Sequence, residues 1–475
     1  MSRRAVLVIA AAVVGVGAAG AAHAQAAAGG LSPREVEQMR QELQALRAEE
    51  AARQARIDAL AKQLARATGE PVIETIPAPS AEAAARPAAA RGGGPKFDVY
   101  GFAQVDYIQD FNRVNPAWED TLRPSKIPTL TGAFGSNGQA SISAKQSRFG
   151  AQASTELMGL PFSAKFEFDL FGVGADEGKT TFRLRHAYGS WGPLLAGQTN
   201  TVFMDGDIFP NVIDYWGPTG MVFIRNPQIR YTYKTGRNEL AVAIEKPNSD
   251  IDPGNIRLID PDIASAIQND ETLPDLTAHW RYDGDWGHVQ LAGVVRRVGF
   301  DSAGTPNNEP KGHKTGWGVN LTSNIKTFGK DVFHGGVVYG EGIASYMNDG
   351  GTDLGPRGNV VLPVTLPLPP GQSLSPDVLP LLGLSFYYDH YWTDKLSTSL
   401  GWSSTKVDNT SFQASDAFRE GQYASVNLIW QPDKALMMGA EYLWGQREDN
   451  NGSKGIDNRL QFSVKYSFSS NDFWR

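Results

Sequence analysis

From Lys96 onward, apolar and polar residues alternate with a period of two. In 162–170, Phe162, Ala164, Phe166, Phe168 and Leu170 take one face, and Ser163, Lys165, Glu167 and Asp169 the other. Ala424, Val426, Leu428 and Trp430 alternate in the same way with Tyr423, Ser425 and Asn427, and Leu436, Met438, Ala440, Tyr442 and Trp444 share a face. Half-buried antiparallel strands read like this in a soluble sandwich and in a membrane barrel alike. Three features favour the barrel. Spread over sixteen strands, 96–475 gives about 24 residues per strand and connection, the size of outer-membrane barrels. Connections alternate between short (159–161, 192–193, 235–237, 431–433) and long (112–141, 201–226, 248–272, 348–380). Trp118, Trp191, Trp216, Trp280, Trp286, Trp392, Trp430 and Trp444 fall near expected strand ends, where interfacial girdles form. No blade repeat points to a propeller, and no linker divides 96–475 into sandwich domains. The expected fold class is all-β: a 16-stranded antiparallel transmembrane β-barrel preceded by an N-terminal coiled-coil helix.

The pattern changes before Lys96. Arg3 and Arg4, the apolar run 5–22 and Ala22-His23-Ala24 read as a signal peptide over 1–24, the alternative being an uncleaved anchor helix. Ser32-Pro33-Arg34-Glu35 opens a helix with a capping box and Pro at its first position. Val36, Met39, Leu43, Leu46, Ile57, Leu60 and Leu64 then follow a three–four spacing, with Glu50 and Arg53 in the intermediate seam positions. That narrow stripe predicts a coiled coil within 25–66, about 50 Å long over 33–66. A helix lying on a membrane or on the rest of the chain is the competing reading. The Pro-, Ala- and Gly-rich stretch 67–95 reads as a spacer, leaving 96–475 for the barrel.

Composition narrows the classes. A net charge of −7 over 475 residues argues against a nucleic-acid partner, and zero Cys removes thiolate chemistry, Cys-bound zinc and disulfides. A mean hydropathy of −0.32 excludes a multi-span helical membrane protein. No G-x-S-x-G or H-E-x-x-H occurs, so no enzyme is expected. A barrel-embedded lipase would need a Ser/His pair that spacing alone leaves open. No cofactor is expected. Asp250, Asp252, Asp260 and Asp262 crowd one outer loop that could hold Ca²⁺, but EF-hand spacing is missing, so no metal is assigned.

The last alternating run, Leu460, Phe462, Val464, Tyr466 and Phe468, resembles the terminal-strand assembly signal of outer-membrane barrels, with Tyr466 and Phe468 as its key residues. Seven residues follow it, so either Phe468 or Trp474 could close the barrel. KFDVYGFAQVDY in the first strand, QSRFGAQAST in the second and LRHAYGSWGPLLAGQTNT in the fourth and fifth resemble the DcaP-like trimeric porins of Gram-negative outer membranes. The heptads limit the resemblance to coiled-coil-bearing porins, a group that includes phosphate- and polyphosphate-selective ones. It implies a homotrimer in outer-membrane lipid, the coiled coil in the periplasm, and passive passage of small anionic solutes such as dicarboxylates. A tether whose coiled coil contacts peptidoglycan or a periplasmic partner is the structural alternative.

In a barrel the polar half of each alternation faces the lumen. Arg148, Lys165, Arg183 and Arg185, then Arg230 and Lys234 with Arg225 just ahead, would line adjacent strands as a basic ladder attractive to anions. Segment 201–226 sits where porins fold a loop inward. Its Asp205, Asp207, Asp214 and Tyr215 would face the ladder and set a transverse field. Glu167 and Asp169 offer the bland alternative, an ion-pair network without selectivity. His186 reads as packing or facing lipid, and the adjacent Arg296 and Arg297 cannot both face inward in a regular strand.

Overall fold

The structure, a computed structural model, describes residues 95–364 and 367–473. The signal peptide, the coiled-coil seam, nearly all of the spacer and Trp474 lie outside the described residues. The wall begins with β1 (Lys96–Asp110), β2 (Gln139–Ser143 continued by Arg148–Leu157), β3 (Leu160–Phe171) and β4 (Thr180–Trp191). β5 (Leu194–Asn200), β6 (Arg225–Thr235), β7 (Asn238–Glu245) and β8 (Ile267–Asn269 continued by Asp275–Gly284) follow. Next come β9 (Gly287–Ser302), β10 (Gly312–Lys326), β11 (Val332–Glu341) and β12 (Pro380–Thr393). β13 (Leu396–Val407), β14 (Phe418–Trp430), β15 (Leu436–Asp449) and β16 (Lys454–Ser469) complete it.

These sixteen antiparallel strands form a closed barrel. β16 pairs back onto β1 from Tyr100↔Ser469 to Asp110↔Arg459. Closure is what a bilayer demands, because lipid offers nothing to an unpaired backbone N–H or C=O. Tyr466 and Phe468 sit on the outer face of this closing strand, 58% and 36% exposed. Outward positions are apolar, as at Ile229, Tyr231, Leu240 and Val242, and inward ones are largely polar, as at Gln228, Gln290 and Asn320.

Short turns join strands at one end and long loops at the other. Three of the long loops fold into the lumen: L1 (111–138), L3 (201–224) and L6 (342–379). Phe203, Met204 and Val222 of L3 and Ile343, Tyr346 and Met347 of L6 pack on Ala292, Val294, Val338, Leu381 and Val407 of the wall. Val114, Leu122 and Ile127 of L1 pack on Tyr387, Tyr423 and Leu443. A Cβ on Gly445 would meet Ile127 Cδ1 at 2.9 Å, which explains a glycine on that inward face. Trp191, Trp280, Trp286, Trp392 and Trp430 are exposed, as a girdle requires. Trp118 and Trp216 are not girdle residues: their loops turn inward, and the two rings meet edge-on at 4.9 Å inside the barrel.

Arg296 turns inward and lies 3.2 Å from Asp275, while Arg297 takes the other side and pairs with Asp270 at 2.7 Å. At the closing seam, the fully buried Arg459 donates to both oxygens of Asp110, at 2.5 and 2.9 Å. Truncating Arg459 leaves Asp110 and Asp457 buried without their cation, at a cost of about 3–5 kcal/mol. Arg459→Met is therefore expected to lower the urea midpoint of the detergent-solubilised barrel, read as loss of heat-modifiable migration. An unchanged midpoint would contradict this role.

Candidate constriction site

Arg148, Lys165, Arg183, Arg185 and Arg225 gather on the wall made by β2, β3, β4 and β6. Glu167 and Asp169 of β3 face the lumen and are 3% and 1% exposed. The β3–β4 register slips between Glu167 and Phe168, so Arg185 and His186 both turn inward. Such a bulge reverses the alternation of the strand. Phe182 and Leu184 point outward on one side of it and Trp191 on the other. His186 packs inward, its Nδ1 3.0 Å from Thr199 Oγ1.

Arg183 reaches Asp169 at 2.7 Å, and Arg185 reaches Glu167 at 2.8 Å and Asp169 at 2.9 Å. Arg148 and Lys165 approach Glu167 at 3.5 and 3.2 Å. Two carboxylates thus serve four cations. Arg225 lies within electrostatic reach of Arg148, Arg183 and Arg185, with its guanidinium 4.7 Å over the Phe223 ring. Neither Arg225 nor Arg230 has an ion-pair partner among the described residues. Lys234 stands apart at the exposed turn end of β6, 2.5 Å from Glu239. Lys465 of β16 adds a further cation without an ion-pair partner among the described residues, 5.3 Å from the Phe102 ring. Lys465 falls on the polar half of a strand whose aromatic end carries the stronger signal in the sequence.

The acids of L3 are engaged by the wall and by L1 rather than facing the basic cluster. Asp205 accepts from His288 Nε2 and Thr322 Oγ1, both at 2.7 Å. Burial alone would raise its pKa, but the bonds from His288 and Thr322 carry it below the usual carboxylate range. Asp207 pairs with Arg281 at 2.7 Å. Asp205, Asp207 and His288 bring ligand atoms within 4.8 Å of one another, and the Arg281 guanidinium supplies the positive charge there. Asp214 accepts from Thr121 Oγ1 at 2.9 Å and from Leu122 N–H at 3.1 Å, and burial pushes its carboxyl above the ordinary value. Only Tyr215 reaches the cluster. It accepts from Arg185 at 2.9 Å, donates to Asp169 and stacks on Phe171 at 4.3 Å. In the outer loop, Asp252 pairs with Arg257 at 2.7 Å and Asp260 caps the helix Pro261–Ala266, so these acids do not converge on one point.

L3 is seated by carboxylates of the wall. Val202 N–H donates to Glu245 at 2.9 Å, Asn211 N–H to Asp389 at 3.1 Å, and Ile213 N–H to Glu441 at 2.7 Å. At Gly220 the loop lies so close that a Cβ would meet Leu384 O at 2.1 Å and Ser404 O at 2.4 Å. Between L3 and this wall lies a cavity of about 320 Å³. Gln104, Gln146, Arg148, Arg185 and Lys465 line it from the wall, and L3 contributes Phe209, Phe223 and the run 212–215, which includes Asp214 and Tyr215.

Arg123 of L1 ties the three inward loops together. Its guanidinium stacks 4.1 Å over Trp118 and 4.4 Å over Trp216 of L3, and reaches Asp349 of L6 at 2.8 Å. Losing these cation–π contacts costs about 1–2 kcal/mol and leaves Asp349 buried alone. Arg123→Ala is expected to raise open-channel noise and voltage-dependent closure in bilayer recordings, with the barrel still heat-modifiable. Recordings as quiet as the parent's would show that the loops do not depend on it.

A family model for the DcaP outer membrane protein matches residues 68–347. The structure resembles the crystal structure of the outer membrane channel DcaP of Acinetobacter baumannii, with a TM-score of 0.64 and 24% identity over 79% of this chain and 98% of that one. It also resembles an anion-selective porin from Comamonas acidovorans, at 0.51 and 10%, over 79% and 100% of the two chains. The sequence matches no curated protein. At these identities the structural likenesses speak for the fold, while the family match extends over more than half of the chain. The chain belongs to the DcaP outer membrane protein family, and the outer membrane is where its barrel resides.

Proposed function

We propose that the lumen is a passive diffusion path for small hydrophilic anions, with dicarboxylates as the preferred class, in a homotrimer joined by the coiled coil of 25–66. The charge count around the opening carries this reading. Arg148, Lys165, Arg183, Arg185 and Arg225 gather around Glu167 and Asp169, Lys465 lines the same cavity as Arg148 and Arg185, and the L3 acids are engaged by His288, Arg281 and Thr121. A cluster left positive in this way attracts anions. Arginine stays charged at any physiological pH and grips a carboxylate through two parallel bonds. A dicarboxylate offers two such ends, one for Arg148 and Lys465 and one for Arg183, Arg185 and Arg225. Rapid passage requires that each hold be weak and shared.

Succinate added to one side of a planar bilayer is therefore expected to interrupt the chloride current of the wild-type channel. One charge-assisted hydrogen bond contributes about 1.5–3 kcal/mol, so Arg225→Ala should weaken that block by about tenfold to a hundredfold. Phosphate tested alongside separates the phosphate-selective reading: a stronger block by phosphate than by succinate would favour it. Block by neither anion would overturn anion binding at this cluster.

A further inference from the structure

A second cavity lies at the long-loop end of the barrel, and its chemistry is the reverse of the eyelet's. It has a volume of about 350 Å³, between L4 (246–266), L5 (303–311) and L6, and shares no lining residue with the constriction. Phe300, on the inward face of β9, and the buried Leu354 of L6 join it to the packed core of Val298, Leu354 and Val378. L4 contributes Ile256, Ile259 and Ile263. Their spacing of three and four brings them to one face where L4 winds through Gly254–Leu258 and the helix Pro261–Ala266. L6 adds Leu368 and Leu374, and L5 adds Lys311.

These walls are set without help from a guest. Segments 354–358 and 374–378 pair as a two-stranded ladder, from Leu354↔Val378 to Gly358↔Leu374. Asp252 N–H donates to Leu354 O and Asn255 N–H to Phe412 O, both at 3.0 Å. At Gly254 a Cβ would meet Phe412 O at 2.6 Å, so a side chain there would push L4 off its seat. A preformed hollow of this size falls at the small end of the range for ligand sites, about 300–1,000 Å³. Its lining is poor in the polar partners that hold water in a cavity. Charge at the rim selects the other end of the guest. Asp252 is already engaged by Arg257 at 2.7 Å and by Gly254 N–H at 3.0 Å. Lys311 has Glu309 as its ion-pair partner at 3.3 Å, with the two side chains 53% and 55% exposed, a contact that water weakens.

We propose that this hollow binds a small amphipathic anion, an apolar body carrying one carboxylate, of which a medium-chain fatty acid such as octanoate is the simplest. The hydrocarbon lies against Ile256, Ile259, Ile263, Phe300 and Leu374, and the carboxylate meets Lys311. Burial of the chain supplies most of the hold, whereas the eyelet works by charge. The site stands independently of the anion reading of the constriction.

The test illuminates outer-membrane vesicles carrying the full-length protein with an octanoate that bears an aliphatic diazirine, and maps the adducts by mass spectrometry. Saturable adducts are expected within 251–267 and 368–376, displaced by plain octanoate. Hexanoate buries two fewer methylenes and should compete about tenfold less well. Ile259→Trp fills the hollow and should abolish the adducts, and Lys311→Gln should weaken octanoate competition several-fold, with the barrel heat-modifiable in both. Adducts that octanoate does not displace, or that persist unchanged in Ile259→Trp, would overturn the proposal. If Ile259→Trp does not fold, the wild-type protein decides: equal competition by hexanoate and octanoate would overturn it. Loss of the adducts in Arg225→Ala would overturn it as well, by placing the binding at the eyelet, whereas their retention alongside weakened succinate block separates the two sites.

Discussion

Glu245, Asp389 and Glu441 stand on three separate strands, and each points a carboxylate into the lumen where backbone N–H groups of L3 meet it. An isolated loop inside a pore would leave such groups to water. Here each is held at 3.1 Å or less by a carboxyl oxygen of the wall. Asp205 and Asp214 work in the opposite direction, from the loop to His288 and Thr322 and to Thr121 and Leu122. The path of L3 across the barrel follows from these bonds, and the remaining features of the pore follow from that path.

L3, L1 and L6 pack on β9 to β15, and the cavity that Arg148, Arg185 and Lys465 line lies on the side of β1, β2, β4 and β16. That is the side where the arginines lie. Acidic groups that might have neutralised them are instead the fasteners of the loop, so one set of carboxylates fixes geometry and leaves the charge on the opposite wall only partly compensated, by Glu167 and Asp169. Constriction and charge thus share one cause.

Much of the barrel is legible in a period of two. The inward set Tyr423, Ser425 and Asn427 and the outward set Ala424, Val426, Leu428 and Trp430 take the sides their polarity predicts. The seam of β1 and β16 needs only that rule and a chain end. Legibility fails where tertiary contacts override local pattern. The bulge at Arg185 and His186 leaves no mark in composition, yet it turns two consecutive residues inward. Trp118 and Trp216 resemble girdle residues until their loops are seen to fold back, since a tryptophan suits an interface and a packed interior equally. The acids of L3 were visible, but their partners, Thr322, His288 and Thr121, lie about a hundred residues away in sequence and no spacing links them. Lys465 escaped because an aromatic end overshadowed the polar half of its strand.

The central claim is that the eyelet carries net positive charge. Its most direct test is the zero-current potential of the purified wild-type protein in a planar bilayer under a tenfold KCl gradient. The account predicts a potential of the sign set by chloride, with anions more permeant than potassium, shrinking as ionic strength screens the cluster. A potential of the sign set by potassium would mean that Glu167, Asp169 and the loop acids neutralise the arginines, and would contradict it.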